Sequence, residues 1–177
     1  MDIHIRYATA ADNQLLAQAG RRLFAEAFTD QNSAQNMATY LAESFSPEKQ
    51  ATELADLTSV TMIAEIDGKF AGYVRLKEEI PAVAIRAKHP IELVRIYTER
   101  EFLSQGVGSQ MMKASLEEAA RRGCDVVWLG VWQHNPGAIR FYEWWGFTKA
   151  GTQIFHLGED MQTDYVMFRS VPGPSMP

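Results

Sequence analysis

The stretch WLGVWQHNPGAIRFYEWWGF, Trp128 to Phe147, decides how the rest of the chain is read. It joins an apolar run, DVVWLGVW, to an Asn-Pro step and a ring-rich segment that stops at Gly146. A run that is apolar on both faces predicts a central buried strand. Asn135 is placed to cap the following helix, and Pro136 takes its first position, where a missing N–H costs nothing. Ala138, Phe141, Tyr142 and Trp145 then recur at i, i+3, i+4 and i+7, forming one broad helical face. Phe141 and Trp145 read as core. Tyr142 carries a hydroxyl that needs a partner when buried. Its phenol stays protonated at neutral pH and can donate to a basic leaving group such as a thiolate. A structural tyrosine fits the same spacing.

Upstream, LSQGVGSQ lies between a predicted strand, IELVRIYT, and a helix through Met111, Met112, Leu116, Ala119 and Ala120. A turn at a helix start exposes N–H groups at the positive end of the dipole, which suits an anion. Gly106 and Gly108 would let a ligand approach the backbone. The dinucleotide fingerprint needs a third glycine where Met111 stands, and the Gly-Lys-Ser/Thr of a nucleotide-triphosphate loop is absent. A lone GxG is equally compatible with a plain tight turn. Glu117–Arg121 and Glu118–Arg122 are spaced to pair on the exposed side of this helix, which Gly123 ends.

Outside that centre the pattern is mixed α/β. IHIRYA alternates as a strand, and Asp12 can cap a helix bearing Leu15, Leu16, Ala19, Leu23, Phe24 and Phe28. DQNSAQNMATYLAESFSPEKQATELAD predicts one or two further short helices, with Ser33 and Ser46 as caps. SVTMIAEIDGKFAGYVRLKEE predicts a hairpin turning at Asp67-Gly68. TKAGTQIFHL and DYVMFRS predict two last strands. No repeat or linker divides the chain, so a single domain over residues 1–170 is expected, followed by a disordered tail from 171 to 177, SVPGPSMP being too rich in Pro to continue an element.

Composition bounds the function. The 177 residues include 46% hydrophobic and 22% charged side chains, enough for a buried core. A net charge of −5 argues against a nucleic-acid partner and favours cationic ligands. The single cysteine, Cys124, forms no internal disulfide and reads as a small buried residue. The four histidines are scattered, so no metal site is expected. No secretory signal and no bilayer-length apolar run is visible, which points to the cytosol and away from membranes.

The order strand, anion loop, helix, buried strand and Asn-capped helix resembles the GCN5-related N-acetyltransferase superfamily. LSQGVGSQMM is similar to its pyrophosphate loop, with Leu103 where the family usually has Arg or Gln, and NPGAIRFYEWWGF is similar to its Asn…Ala…Phe-Tyr…Gly-Phe segment. FTDQNSAQNMATYL, AGYVRL, IELVRIY and FHLGEDMQTDYVM extend the resemblance to the bacterial PaiA-type spermidine/spermine N-acetyltransferases. The resemblance implies a mixed, mostly antiparallel sheet flanked by helices, with IELVRIYT and DVVWLGVW splayed to admit the pantetheine arm of acetyl-CoA. It implies that backbone groups of Ile96 and Tyr97 bind the pantetheine amides. The N–H groups of Leu103, Ser104, Gln105, Gly106, Val107, Gly108 and Ser109 would hold the pyrophosphate, and Asn135 would contact the cosubstrate. Tyr142 would protonate the departing thiolate. A homodimer is an expectation from family precedent alone.

Amine acetylation in a ternary complex also needs a group to take the amine proton. Glu92 is the candidate base, expected on one strand face with Val94 and Ile96, where burial would raise its pKa; a solvated strand-edge glutamate fits equally. Arg95, on the opposite face, is expected in a structural ion pair. A polyamine acceptor asks for spaced acids, for which Asp30, Glu43, Glu159 and Asp160 are candidates beside Glu92. Other acceptors (a peptide N-terminus, an amino acid, an antibiotic amine) and a non-catalytic acyl-CoA sensor remain the alternatives.

Overall fold

Residues 2–172 are described by the computed structural model. Seven strands form one sheet in the order β1-β2-β3-β4-β5-β7-β6: β1 (Ile3–Tyr7), β2 (Ser59–Ile66), β3 (Lys69–Lys77), β4 (Pro90–Thr98), β5 (Val126–Trp132), β6 (Thr148–Leu157) and β7 (Asp160–Ser170). Every neighbouring pair is antiparallel except β4 and β5. The helices are α1 (Asn13–Phe28), α2 (Ala34–Ser44), α3 (Pro47–Ala55), α4 (Val107–Arg121) and α5 (Pro136–Trp144). Ser33 and Ser46 cap α2 and α3 by accepting from the N–H groups of Asn36 and Lys49, as the sequence predicts. The β2–β3 hairpin turns at Asp67-Gly68, both at positive φ.

The alternation of side chains along the strands divides the core into two layers. One layer joins Val74, Leu76, Leu93, Val127, Leu129 and Val131 to Met111 and Met112 of α4 and Ile139 and Tyr142 of α5. The other packs Leu16 and Phe24 of α1, with Met37 and Leu41 of α2, against Ile63, Tyr73 and Leu157. A β-bulge in the β3–β4 ladder changes which β4 residues face which layer. Arg75 pairs with Arg95, but Leu76 pairs with Leu93, so Val94 has no opposite number.

Four expectations are corrected here. Glu92 does not share a face with Ile96: the extra residue reverses the alternation, and Glu92, paired with Lys77, falls on the side of Arg75 and Arg95. Glu118 is not exposed but 3% accessible, held by Arg121, Arg122 and the Tyr7 hydroxyl, while Glu117 approaches Lys113 rather than Arg121. Strand β7 starts at Asp160, four residues before the expected DYVMFRS. Finally, Val171 is buried and its N–H donates to the Asp125 carbonyl, so the tail does not begin there; residues 173–177 lie outside the described residues. Among the described residues no helix is long and apolar enough to cross a membrane.

Candidate active site

Strands β4 and β5 pair only over Pro90–Glu92 and Val126–Trp128, then part. The unpaired remainder of both strands borders a cavity of about 310 Å3. The divergence expected of IELVRIYT and DVVWLGVW is therefore present. Past Glu92 the β4 edge that faces the gap has no strand partner among the described residues. Glu99 donates to Ala71 across the β3 side, and the Tyr97 carbonyl lies against Gly72. Alternation along the ladder then turns the backbone of Tyr97 toward β3 and that of Ile96 and Thr98 toward the gap. Both expected amide-binding residues, Ile96 and Tyr97, line the cavity, and the alternation gives Ile96 the backbone edge that faces the gap.

At the wide end of the gap the chain leaves β4 through a short 3-10 turn and enters α4. Gly106 sits at φ 88 as the helix cap, a left-handed conformation that side chains with a Cβ adopt at a cost. The Leu103 and Gln105 N–H groups are drawn into long turn hydrogen bonds, both 3.4 Å, to the Arg100 and Phe102 carbonyls. Among the described residues those of Ser104, Gly106, Val107, Gly108 and Ser109 have no backbone acceptor, and the last three belong to the first turn of α4, where an anion is favoured. Gly108 is in ordinary helical conformation, and a Cβ there would stand 3.7 Å from Phe141 and 3.8 Å from the Thr98 hydroxyl. Gly108→Val should therefore fold, while crowding any phosphate at the helix start. A loss of CoA affinity of about tenfold or more is expected by calorimetry; unchanged affinity in a folded variant would move the anion site elsewhere.

Tyr142 approaches the cavity from the α5 side. The Asn135 side chain accepts from the Ala138 N–H at 3.2 Å and fixes the start of α5. Pro136 follows at its first position. Two turns on, Tyr142 is 8% exposed and lines the cavity beside Asn135 and Ala138. Burial alone raises its phenol above the ordinary tyrosine value, so it is a proton donor at neutral pH. Among the described residues its hydroxyl makes no hydrogen bond, so it is available to a ligand.

From the opposite sheet face, Glu92 reaches the same cavity at the point where the strands part. Burial raises its pKa, Glu79 adds to the rise, and Arg75, Lys77 and Arg95 oppose it. The neighbouring charges are already engaged: Glu53 binds Arg95 at 2.7 Å and lies 3.6 Å from Arg75, all three nearly fully buried. The ion pair expected of Arg95 is this one. The four other candidate acids do not line the cavity. Asp30, Glu43, Glu159 and Asp160 are all exposed. Asp160 is tied to α2's approach through Gln162, whose amide donates to both Asp160 and Asn32, and the Glu159 N–H donates to Asn36.

One acid that the sequence reading passed over does enter. Asp164 is 7% exposed, lines the cavity, and has its carboxyl pushed up to about 6 by burial, with no ion pair among the described residues to offset it. It shares a strand face with Val166 and Phe168, a signal already present in DYVMFRS. Aromatic side chains complete that wall, with Phe28 and Trp132 ring centroids 6.4 Å apart and Tyr40 and Phe155 5.4 Å apart. Among the described residues no group of three or more His, Cys, Asp or Glu is placed to hold a metal ion.

Residues 19–147 match the Acetyltransferase (GNAT) family. The chain is 32% identical over 151 residues to an uncharacterised N-acetyltransferase of Lactobacillus delbrueckii subsp. lactis, covering 85% of this chain and 87% of that one. It is 32% identical over 161 residues to an uncharacterised N-acetyltransferase of Mycobacterium bovis, covering 90% and 98%. Its fold is similar to that of a PaiA N-acetyltransferase from Thermoplasma acidophilum, solved in complex with coenzyme A, with a TM-score of 0.74 and 20% identity over 96% of this chain and 99% of that one. With its parted central strands, anion-ready helix start and Asn-capped tyrosine helix, the chain belongs to the GNAT family of acetyltransferases and is an N-acetyltransferase.

Proposed function

We propose that the protein transfers the acetyl group of acetyl-CoA to a primary amine of a small polyamine, spermidine- or spermine-like, by direct attack in a ternary complex. The observation that carries this reading is the gap between β4 and β5, walled by Tyr142 on one sheet face and Glu92 on the other. The residues present fit the cosubstrate: the N–H groups of the loop and first turn of α4 that have no backbone acceptor among the described residues would receive its pyrophosphate, and the open β4 edge at Ile96 would receive its amides. When bound, acetyl-CoA supplies an activated thioester carbonyl. Glu92 would take a proton from the amine, whose lone pair then forms the C–N bond. As the C–S bond breaks, Tyr142 would donate its proton to the departing sulfur, and the second proton lost by the acetylated nitrogen would restore the phenol. Asn135 would hold the start of α5 and contact the cosubstrate. This cosubstrate and the unpaired, buried Cys124 suit a cytosolic protein.

The polyamine assignment is supported by the net charge of −5 and by the exposed acids Asp30, Glu159 and Asp160 around the α1–α2 connection and the β6–β7 turn, with Glu43 further along α2. They would form the rim of an acceptor groove. Thiol release from acetyl-CoA should then be faster with spermidine or spermine than with a monoamine of similar length. The preference should shrink with added salt as the exposed charges are screened. Equal rates at low salt would count against a polyamine, and a faster reaction with a peptide N-terminus or an antibiotic amine in the same panel would replace it.

A further inference from the structure

We propose that Asp164, leaning with Gln153 over Gly130, anchors the second ammonium of a diamine acceptor, the one that is not acetylated. The inference rests on the polyamine reading above and adds the residue that makes the choice.

Asp164 and Gln153 are cross-strand partners on β7 and β6, and Asp164 also pairs with Trp132 of β5. All three side chains therefore stand on one face of the sheet, the face that also carries Glu92. They converge on Gly130. A Cβ built there would lie 2.5 Å from Gln153 Nε2 and 3.1 Å from Asp164 Oδ2, so only the missing side chain lets the amide and the carboxylate reach over β5. Gly130 belongs to the part of β5 that has left β4, and the polar ends above it border the cavity.

A carboxylate this buried is normally matched by a cation. The two buried arginines of the same face are both drawn to Glu53, and Asp164 has no ion pair among the described residues. What surrounds it instead is aromatic: Phe28, Trp132, Tyr40 and Phe155 line the cavity, their faces and edges offering a surface that attracts an organic cation. One carboxylate among rings suits an alkylammonium. A metal ion would ask for several oxygen, nitrogen or sulfur ligands.

Position separates this group from the reacting centre. Glu92 stands opposite Trp128, at the last paired row before the strands part. Gly130 is two residues further along β5, about 7 Å at the usual rise of a strand. An alkyl spacer between two amines bridges such an interval, placing one nitrogen near Glu92 and the other under Asp164 and Gln153. A monoamine fills one position and leaves the buried carboxylate unmatched.

The test compares kcat/KM for spermidine and for hexylamine, by thiol release, in the full-length wild-type protein and in Asp164→Asn. Asparagine keeps the shape and removes the charge, so the melting temperature should hold or rise. The spermidine-to-hexylamine ratio should fall by about 10–100-fold, the range expected for a lost charge-assisted contact, and the fall should lie in KM for spermidine. Gly130→Ala, whose new methyl would push Gln153 and Asp164 away, should lower the ratio in the same direction. A wild-type preference for spermidine that survives Asp164→Asn overturns the anchor and leaves the polyamine reading standing. A parallel loss of kcat on both amines also overturns it, by showing that Asp164 serves the reacting nitrogen. A wild-type enzyme with no preference overturns the polyamine reading itself, and the anchor with it, before any variant is made.

Discussion

Tyr142→Phe is expected to keep its fold and lose about 10²–10⁴-fold in turnover, the usual worth of general acid assistance. The substitution retains the ring that packs in the α5 layer and removes only the hydroxyl. Because that hydroxyl makes no hydrogen bond among the described residues, its loss leaves no buried partner stranded, and the melting temperature should stay level or rise slightly. The effect should appear in kcat at saturating acetyl-CoA, since proton donation to sulfur belongs to the transition state and not to binding. Melting temperature and turnover measured on one preparation decide it. A well-folded variant with near-wild-type turnover would remove the donor role and leave the family and the cosubstrate untouched, because solvent can also deliver a proton to a thiolate.

Glu92→Gln is expected to cost about 10²-fold or more in kcat/KM near neutral pH, and the deficit should shrink as pH rises toward the pKa of the amine. The sign follows from the chemistry. A base must be ionised to work, and burial raises the Glu92 pKa above its ordinary value, so the wild-type rate should climb as pH passes upward through that raised value. The variant has no such group and depends on amine that is already neutral in solution, whose fraction grows with pH. A wild-type-to-variant ratio that is constant across the pH range would assign Glu92 a structural or binding role. Undiminished activity at pH 7 would leave proton removal to water.

Much of the architecture was legible because local chemistry set it. The Asn135-Pro136 step, the Ser33 and Ser46 caps and the Asp67-Gly68 turn are short-range devices, each satisfied within a few residues, and each stands where the sequence predicts it. DVVWLGVW reads as buried because apolar residues on both faces leave a strand no wet side, and β5 is covered by α4 and α5 on one face and the aromatic wall on the other. The parting of β4 and β5 came from resemblance and not from periodicity, since no local pattern reports where two strands stop pairing.

The site divides along the same line. Tyr142 is legible because helix spacing fixes its face and a cap fixes the helix. Glu92 was found as a residue but set on the wrong face, because a single unpaired residue, Val94, reverses every side chain beyond it, and a bulge is decided by two strands and not by one. Asp164 was missed for a related reason. Alone, DMQTDYVM shows an acid near a strand start; only β5 and β6 on its flanks, the bare Gly130 beneath it and the rings of α1 and α2 above it make that acid buried and unmatched. The sequence by itself determined most of the elements, the caps at Ser33, Ser46 and Asn135 and the place of the tyrosine, because those depend on neighbours along the chain; Asp12, expected to cap α1, instead gives its carboxylate to Arg6 and the Thr9 N–H. The tertiary structure decided which acids enter the cavity, because burial and the loss of hydration that follows depend on neighbours in space.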